Sequence, residues 1–230
     1  TDSSFRACIL TDTGLVDLGI IPGTAQSFGL AIDSSSHVVG TSYDLGGMTY
    51  RAFRAGPMTP ITELGQFSPR GMNDVGVVVG TVRAMQADQW ISQHACVFQS
   101  GLLTELSSLG GDTSHAFDVN NSGVIVGAST LATQRQPHAT MWIAGSPADL
   151  GTLGGNQSEA KAINESGVAV GHSTLAGGAP RACRFAIGGQ QLVPFVAKVK
   201  IKSSVGPNVK CVNTMVVLNA TNAGEQRSFG

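Results

Sequence analysis

The sequence predicts an all-β protein made of short strands and tight turns. Its 230 residues include 30 glycines, and only 13% of them are charged, against about 25% in an average domain. A composition rich in glycine and poor in charged helix formers favours strands joined by turns. The formal net charge of −1 provides no general cationic field for phosphates, so we expect no nucleic-acid partner.

A tandem repeat organises the chain and is the main reason for this prediction. In each of the first four units, a Leu-Gly step and then a hairpin pattern such as AINESGVAVG (residues 162–171) follow a basic residue and an alanine, and the fifth unit diverges. The units begin, at spacings of 45, 43, 44 and 43 residues, near Arg6, Arg51, His94, His138 and Arg181. Self-similarity at such a period is typical of repeat architectures.

Each unit is predicted to form four strands. The first carries the basic residue and alanine, the second ends in Leu-Gly, the third starts at a serine such as Ser158, and the fourth contains the VVG pattern. The turn between the last two strands has the form N-x-x-G, as in Asn73 to Gly76. Its asparagine is expected to bond the backbone two residues on, while its glycine takes a positive φ.

A lone four-stranded sheet cannot bury both of its faces, so the units must pack on one another. We expect a single domain, residues 1–230, in which five blades surround an axis as a β-propeller. Residues 192–230 diverge from the pattern and are expected to form the last repeat and close the ring. The alternative is a β-solenoid, in which the sheets continue in a line.

The stretch DLGTLGGNQSEAKAINESGVAVGHS (residues 149–173) resembles the unit of the HAF-repeat family of bacterial proteins, HAF…DLGTLGG…S.A..IN..G.VVG.S. The resemblance covers residues 6–187. The literal His-Ala-Phe at residues 115–117 lies out of register, in a predicted third strand, and the second unit has one residue fewer between Ser68 and Asn73. The family implies secretion or surface display, with the periplasm as a further option, but it implies no activity or site residues.

Two groups of polar and aromatic residues are candidate ligand contacts. One is the set of basic residues that open the units, which could bind anions or sugars, or could donate to loop carbonyls and turn Asn or Asp side chains. The other is the predicted inter-strand insertion 81–93, where Trp90 beside Asp88 and Gln89 could stack on a sugar or anchor the loop. The basic set is Arg6, Arg51, His94, His138 and Arg181.

A third candidate is the alternating segment KVKIK near the end of the chain. Lys198, Lys200 and Lys202 would share one face of a strand, either as an edge that resists pairing or as a patch for an acidic polysaccharide or lipid headgroup. No apolar run reaches about 18 residues, so we expect no membrane span.

Metal and catalytic motifs are missing from the sequence. The histidines form no HxH or HExxH spacing, and no GxSxG or phosphate loop occurs. We therefore expect neither a metal nor a cofactor. The carboxylates before the Leu-Gly steps recur in every unit, which favours a shared turn role over a catalytic pair. They are Asp17, Glu63, Glu105 and Asp149.

The cysteines at equivalent places in three units are expected to be small buried core residues. They are Cys8, Cys96 and Cys183. Taken together, these observations predict a non-enzymatic binding module that takes carbohydrate, by fold-level analogy with five-bladed lectins. The alternatives are a protein-interaction or structural module of the envelope, and a propeller glycoside hydrolase or lyase.

Overall fold

The structure is a computed structural model that describes residues 4–47, 49–86, 89–186 and 193–194. Every regular element within these ranges is a β-strand, which confirms the all-β prediction. No helix in the described part of the chain is long and apolar enough to cross a membrane.

The N-terminal half of the described chain forms three antiparallel groups of strands. The first group has two strands, β1 (Cys8–Thr11) and β2 (Gly14–Asp17). The second has four, β3 (Gln26–Ile32), β4 (Val38–Tyr43), β5 (Tyr50–Gly56) and β6 (Thr59–Gly65). The third also has four, β7 (Ser68–Met72), β8 (Val78–Gln86), β9 (Gln89–Gln99) and β10 (Leu102–Glu105).

Two further groups follow. One consists of β11 (Gly110–Val119), β12 (Ile125–Leu131), β13 (Gln134–Ile143) and β14 (Ser146–Asp149). The other consists of β15 (Gly154–Ile163), β16 (Val168–Leu175), β17 (Pro180–Ala186) and β18 (Val193–Pro194). A single parallel bridge between Thr113 and Gln93 joins the β7–β10 and β11–β14 groups.

The sheets begin half a unit later than predicted. Each four-stranded group combines the third and fourth strands of one unit with the first and second strands of the next, as when β16 of the fourth unit pairs with β17 of the fifth. The reason is that each VVG strand turns directly into the next basic-Ala strand, so the hydrogen-bonded ladder crosses the unit boundary. Strands β1 and β2, which form a two-stranded sheet, correspond in the repeat to the third and fourth strands of the other sheets.

The prediction that residues 81–93 form an inter-strand insertion is wrong. Residues 81–86 and 89–93 belong to the paired strands β8 and β9, in which Gln86 pairs with Gln89 and an irregularity lies between Ala84 and Met85.

Buried serines join consecutive sheets. The Oγ of Ser114 accepts a hydrogen bond from Ala95 N at 2.9 Å, and the same bond links Ser27 to Ala7 and Ser158 to Ala139. In the shortened second unit, no side-chain bond of Ser68 takes this place among the described residues. The preceding Phe67 is fully buried there instead.

The N-x-x-G turns also connect neighbouring sheets. The Oδ1 of Asn73 accepts a hydrogen bond from Val77 N at 2.8 Å. The prediction that this asparagine bonds the backbone two residues on is therefore wrong, because the donor lies four residues on. The Nδ2 of Asn73 donates to the carbonyl of Asn120 at 2.9 Å, and the Nδ2 of Asn120 donates to that of Asn164 at 3.2 Å. Gly76 has the predicted positive φ, 85°.

Four hydrophobic clusters fill the gaps between successive sheets. Cys96 and Cys183 are buried in two of them, as predicted. Cys8 is exposed, which contradicts the prediction, and Leu10 on the same strand is 78% exposed. Among the described residues no sheet covers that face of β1.

Candidate ligand-binding surface

Three of the five basic residues that open the units lie near a carboxylate on the adjacent strand. Arg51 lies 3.3 Å from Glu63, and His138 Nδ1 lies 2.9 Å from Asp149. The Oδ1 of Asp149 also accepts from Gly151 N at 2.7 Å, which is the turn role expected of these acids. These basic side chains therefore pair with the carboxylates that precede the Leu-Gly steps.

The other units vary this arrangement. Arg6 lies 3.7 Å from Asp17, while His94 Nε2 contacts Ser92 Oγ at 2.8 Å. Arg181 donates to the carbonyl of Pro180 at 2.9 Å, a backbone acceptor of the kind expected.

The remaining predicted site residues are only partly described. Gln89 and Trp90 belong to the backbone of β9, where Trp90 pairs with Met85. Asp88 and the lysines of the KVKIK segment lie outside the described residues. Those lysines are Lys198, Lys200 and Lys202.

The most conspicuous surface feature is a row of four aromatic rings, which we call the aromatic strip: Phe5, Phe28, Tyr43 and Tyr50. The centroids of neighbouring rings are 5.7, 5.8 and 6.3 Å apart along this order. Phe5 is 64% and Phe28 is 38% exposed, whereas Tyr50 is buried. The strip thus runs from solvent into the sheet.

The pairing of β3, β4 and β5 positions these rings. Tyr43 ends β4 directly opposite Tyr50, the first residue of β5, and cross-strand neighbours of this kind bring side chains together. Phe5 is held beside β3 because its carbonyl accepts from Ser27 N at 2.9 Å.

Sequence reasoning missed the aromatic strip. A signal was available, because aromatic residues make up only 6% of the chain and both of its tyrosines are here. The repeat alignment did not reveal the strip because its rings belong to one sheet and to no shared motif.

A cation and a shallow depression adjoin the strip. The guanidinium carbon of Arg83 lies 5.6 Å from the ring centroid of Tyr50, within cation–π range. Burial raises the pKa of the Tyr50 hydroxyl, and the charge of Arg83 partly offsets this effect. The residues that line the depression are Gly23, Thr24, Ala25, Asp44, Leu45 and Gly46.

The depression is tied to the strip by the backbone. Ala25 N donates to the carbonyl of Tyr43 at 2.7 Å, and Asp44 Oδ2 accepts from Thr49 Oγ1 at 2.8 Å. Leu45 at its rim is 92% exposed. Exposed apolar groups therefore lie next to polar ones.

A second group of polar residues lies where the first strands of the sheets meet. Strands β3, β7, β11 and β15 contact one another in this order. All four carry a β-bulge at the same place, and bulges re-aim side chains. The bulged residues are Leu30, Arg70, Phe117 and Lys161. With His115 and Glu159, the last three form what we call the first-strand cluster.

Close contacts hold the first-strand cluster together. Lys161 Nζ lies 4.1 Å from the ring centroid of Phe117 and forms an ion pair with Glu159. The rings of His115 and Phe117 are parallel with centroids 6.1 Å apart. Burial lowers the pKa of His115, and the charge of Arg70 lowers it further. The out-of-register His-Ala-Phe tripeptide thus supplies two members of this cluster.

Comparisons with known proteins bear on the fold. No protein-family profile matches the sequence, and no curated protein matches it significantly. Among solved structures, a crystal structure of TolB from Acinetobacter baumannii is similar, with a TM-score of 0.54 and 12% identity, covering 77% of this chain and 47% of that chain. The chain thus spans about half of TolB, which is a β-propeller protein. The likeness concerns the fold alone and supports a propeller-like arrangement of the sheets.

Proposed function

We propose that this protein is a non-enzymatic carbohydrate-binding module that takes a saccharide on the aromatic strip. The observation that carries the proposal is the strip itself, with two exposed rings, a cation at one end and a polar depression beside it. Sugar rings have apolar faces and polar edges, so they suit an aromatic surface that has a few polar neighbours.

The strip is not a requirement of the repeat. Phe28 follows Ser27, the sheet-joining serine of its first strand, and the residues at the same place in two other sheets are His115 and Glu159. The fold therefore forms without an aromatic ring at this position. An exposed phenylalanine that the architecture does not need is available for recognition.

We also propose that the sheets form a closed five-bladed propeller. Strands β1 and β2 lack the first two strands of their sheet among the described residues. The chain leaves β18 at the place where a first strand begins in the other sheets, and residues 195–230 outnumber the residues Gly154–Leu175 that supply such a pair. In this proposal they form the last repeat and close the ring.

Membership of the HAF-repeat family and a location outside the cytoplasm complete the proposal. The residues of the family pattern are those that join the sheets, such as Ser114, Ala95 and Asn120. TolB is a periplasmic protein, which is compatible with a periplasmic location for this chain.

The rate at which thiols are alkylated tests ring closure. Burial raises the pKa of Cys96 to about 12 and that of Cys183 to about 11, so both are poor nucleophiles. In a closed ring, Cys8 is covered and reacts as slowly with iodoacetamide as they do, which peptide-resolved mass spectrometry measures. Rapid labelling of Cys8 alone would contradict closure and favour the solenoid.

A glycan array tests the binding function. Phe28→Ala should weaken binding by about tenfold or more, equivalent to 1.4 kcal/mol or more. Leu102→Ala, which removes an exposed side chain outside the strip, is the matched control and should bind as the wild type does. Trp90→Ala extends the test to the β8–β9 hairpin. A uniformly blank array would overturn the proposal.

Two alternatives give different results. A protein-interaction module would use Leu45 and Phe5 as apolar contacts, so it would retain an envelope protein in a pull-down while the array stays blank. A glycoside hydrolase needs two carboxyl groups about 5 to 10 Å apart, and Asp44 is the single carboxylate that lines the described depression. Release of reducing sugar would favour the hydrolase.

A further inference from the structure

We propose that the saccharide is acidic, and that its carboxylate binds at the first-strand cluster between Arg70 and Lys161. This inference rests on the proposed carbohydrate-binding function and specifies its ligand class.

Arg70 is the principal recognition group in this proposal. It is exposed, and no hydrogen bond or ion pair occupies its guanidinium among the described residues. It lies beside a close approach of two first strands, since a Cβ at Gly71 would be 2.8 Å from the carbonyl oxygen of Phe117. A guanidinium on such a rigid contact can bind a carboxylate through two parallel hydrogen bonds.

Lys161 supplies the second positive charge. Its ammonium lies against Phe117 and pairs with Glu159, the carboxylate of the cluster. Two cations and one carboxylate leave the cluster with a formal charge of +1 while His115 is neutral. A ligand carboxylate can therefore share Lys161 with Glu159 and neutralise Arg70.

The cluster and the aromatic strip are adjacent. Strand β3, which carries Phe28, contacts β7, which carries Arg70. Arg83 lies over Tyr50 at the end of the strip, and its charge also acts on His115 in the cluster. A sugar that rests on the strip can thus direct an acidic substituent toward Arg70.

Calorimetric titration with matched probes tests the inference. The probes are the trimers of galacturonate, glucuronate and mannuronate, each paired with its methyl ester, which keeps the sugar and removes the charge. At least one acid should bind about tenfold or more tightly than its ester at low salt. Arg70→Gln should abolish this preference, whereas the control Arg135→Gln, an exposed arginine on β13, should keep it.

Binding of the acid should also raise the pKa of His115, because the bound carboxylate offsets the cations that lower it. NMR signals of the imidazole ring report this shift. Equal affinity for acids and esters would overturn the inference and leave the carbohydrate function intact. A preference for the acid that survives Arg70→Gln would overturn the assigned site. If the protein binds neither the titration probes nor any glycan on the array, both proposals are overturned.

Discussion

The inter-sheet contacts are repeated from unit to unit, whereas the aromatic strip is not. The contacts recur at matching positions, as in the bonds from Ala95 to Ser114 and from Ala139 to Ser158. Among the described residues the strip occurs once, in the β3–β6 sheet and the segment before β1, and the residue that takes the place of Phe28 in another sheet is His115. In this repeat protein, shared residues build the scaffold, and residues that differ between units are free to distinguish one ligand from another.

The glycine of the VVG pattern recurs between units, so we assign it to the scaffold. A Cβ at Gly127 would collide with the backbone carbonyl of His115 on the neighbouring strand. Gly127→Ala should therefore cost about 3 kcal/mol or more in the free energy of unfolding, because backbone cannot move aside as a side chain can. Chemical denaturation measures the loss.

Gly177→Ala is the matched control for that substitution. No heavy atom lies within 4 Å of the Cβ position, and the residue has no positive φ. Its stability should stay within about 0.5 kcal/mol of the wild type. A similar loss in both variants would mean that the strand contact at Gly127 does not decide the effect.

Two equivalent turn asparagines allow a comparison between the middle of the described row of sheets and its last sheet. Asn120 is buried, accepts from Val124 N at 3.0 Å and donates to the carbonyl of Asn164. Asn120→Ala should cost about 2 kcal/mol, the range for a buried group whose partners are left unpaired. Urea denaturation at one pH gives the value.

Asn164 has the same turn role but is exposed in the described structure. If a fifth blade covers it, Asn164→Ala should also cost about 2 kcal/mol. A cost below about 0.5 kcal/mol, typical of an exposed site, would place Asn164 at an open end and count against the closed ring.

The smallest expected effect is the pH dependence that His115 contributes. Because its folded-state pKa is lowered, the unfolded chain binds more protons as the pH falls below the unfolded value of about 6.5. Stability should therefore decrease from pH 7.5 to 5.5, and His115→Gln should reduce that decrease. An unchanged pH slope in the variant would show that His115 stays as easily protonated as in the unfolded chain.

The strands could be predicted from the sequence because turns and strands depend on residues that are close in sequence. The sheet-joining serine recurs in three of the four described first strands, as with Ser114, and the turn glycine recurs in three of the four described turns, as with Gly76. The pairing of strands across unit boundaries was missed because a period fixes the length of a unit but not where its sheet begins. The half-unit shift leaves β1 and β2 as a two-stranded sheet in which, among the described residues, Cys8 is exposed.

The candidate site could not be predicted to the same extent. Tyr43 and Tyr50 meet because of strand register, and Arg70 and Phe117 lie near each other because two first strands touch. These contacts depend on tertiary structure, and no spacing in the sequence encodes them. The basic residues could be identified from the sequence, but their carboxylate partners could be assigned only from the pairing of adjacent strands.

The most direct test measures saccharide affinity and unfolding free energy together for Phe28→Ala and Asn120→Ala. We predict that Phe28→Ala loses about tenfold or more in affinity with little change in stability, and that Asn120→Ala loses stability while its folded fraction binds normally. Loss of affinity in proportion to stability in both variants would contradict the separation of scaffold and recognition residues.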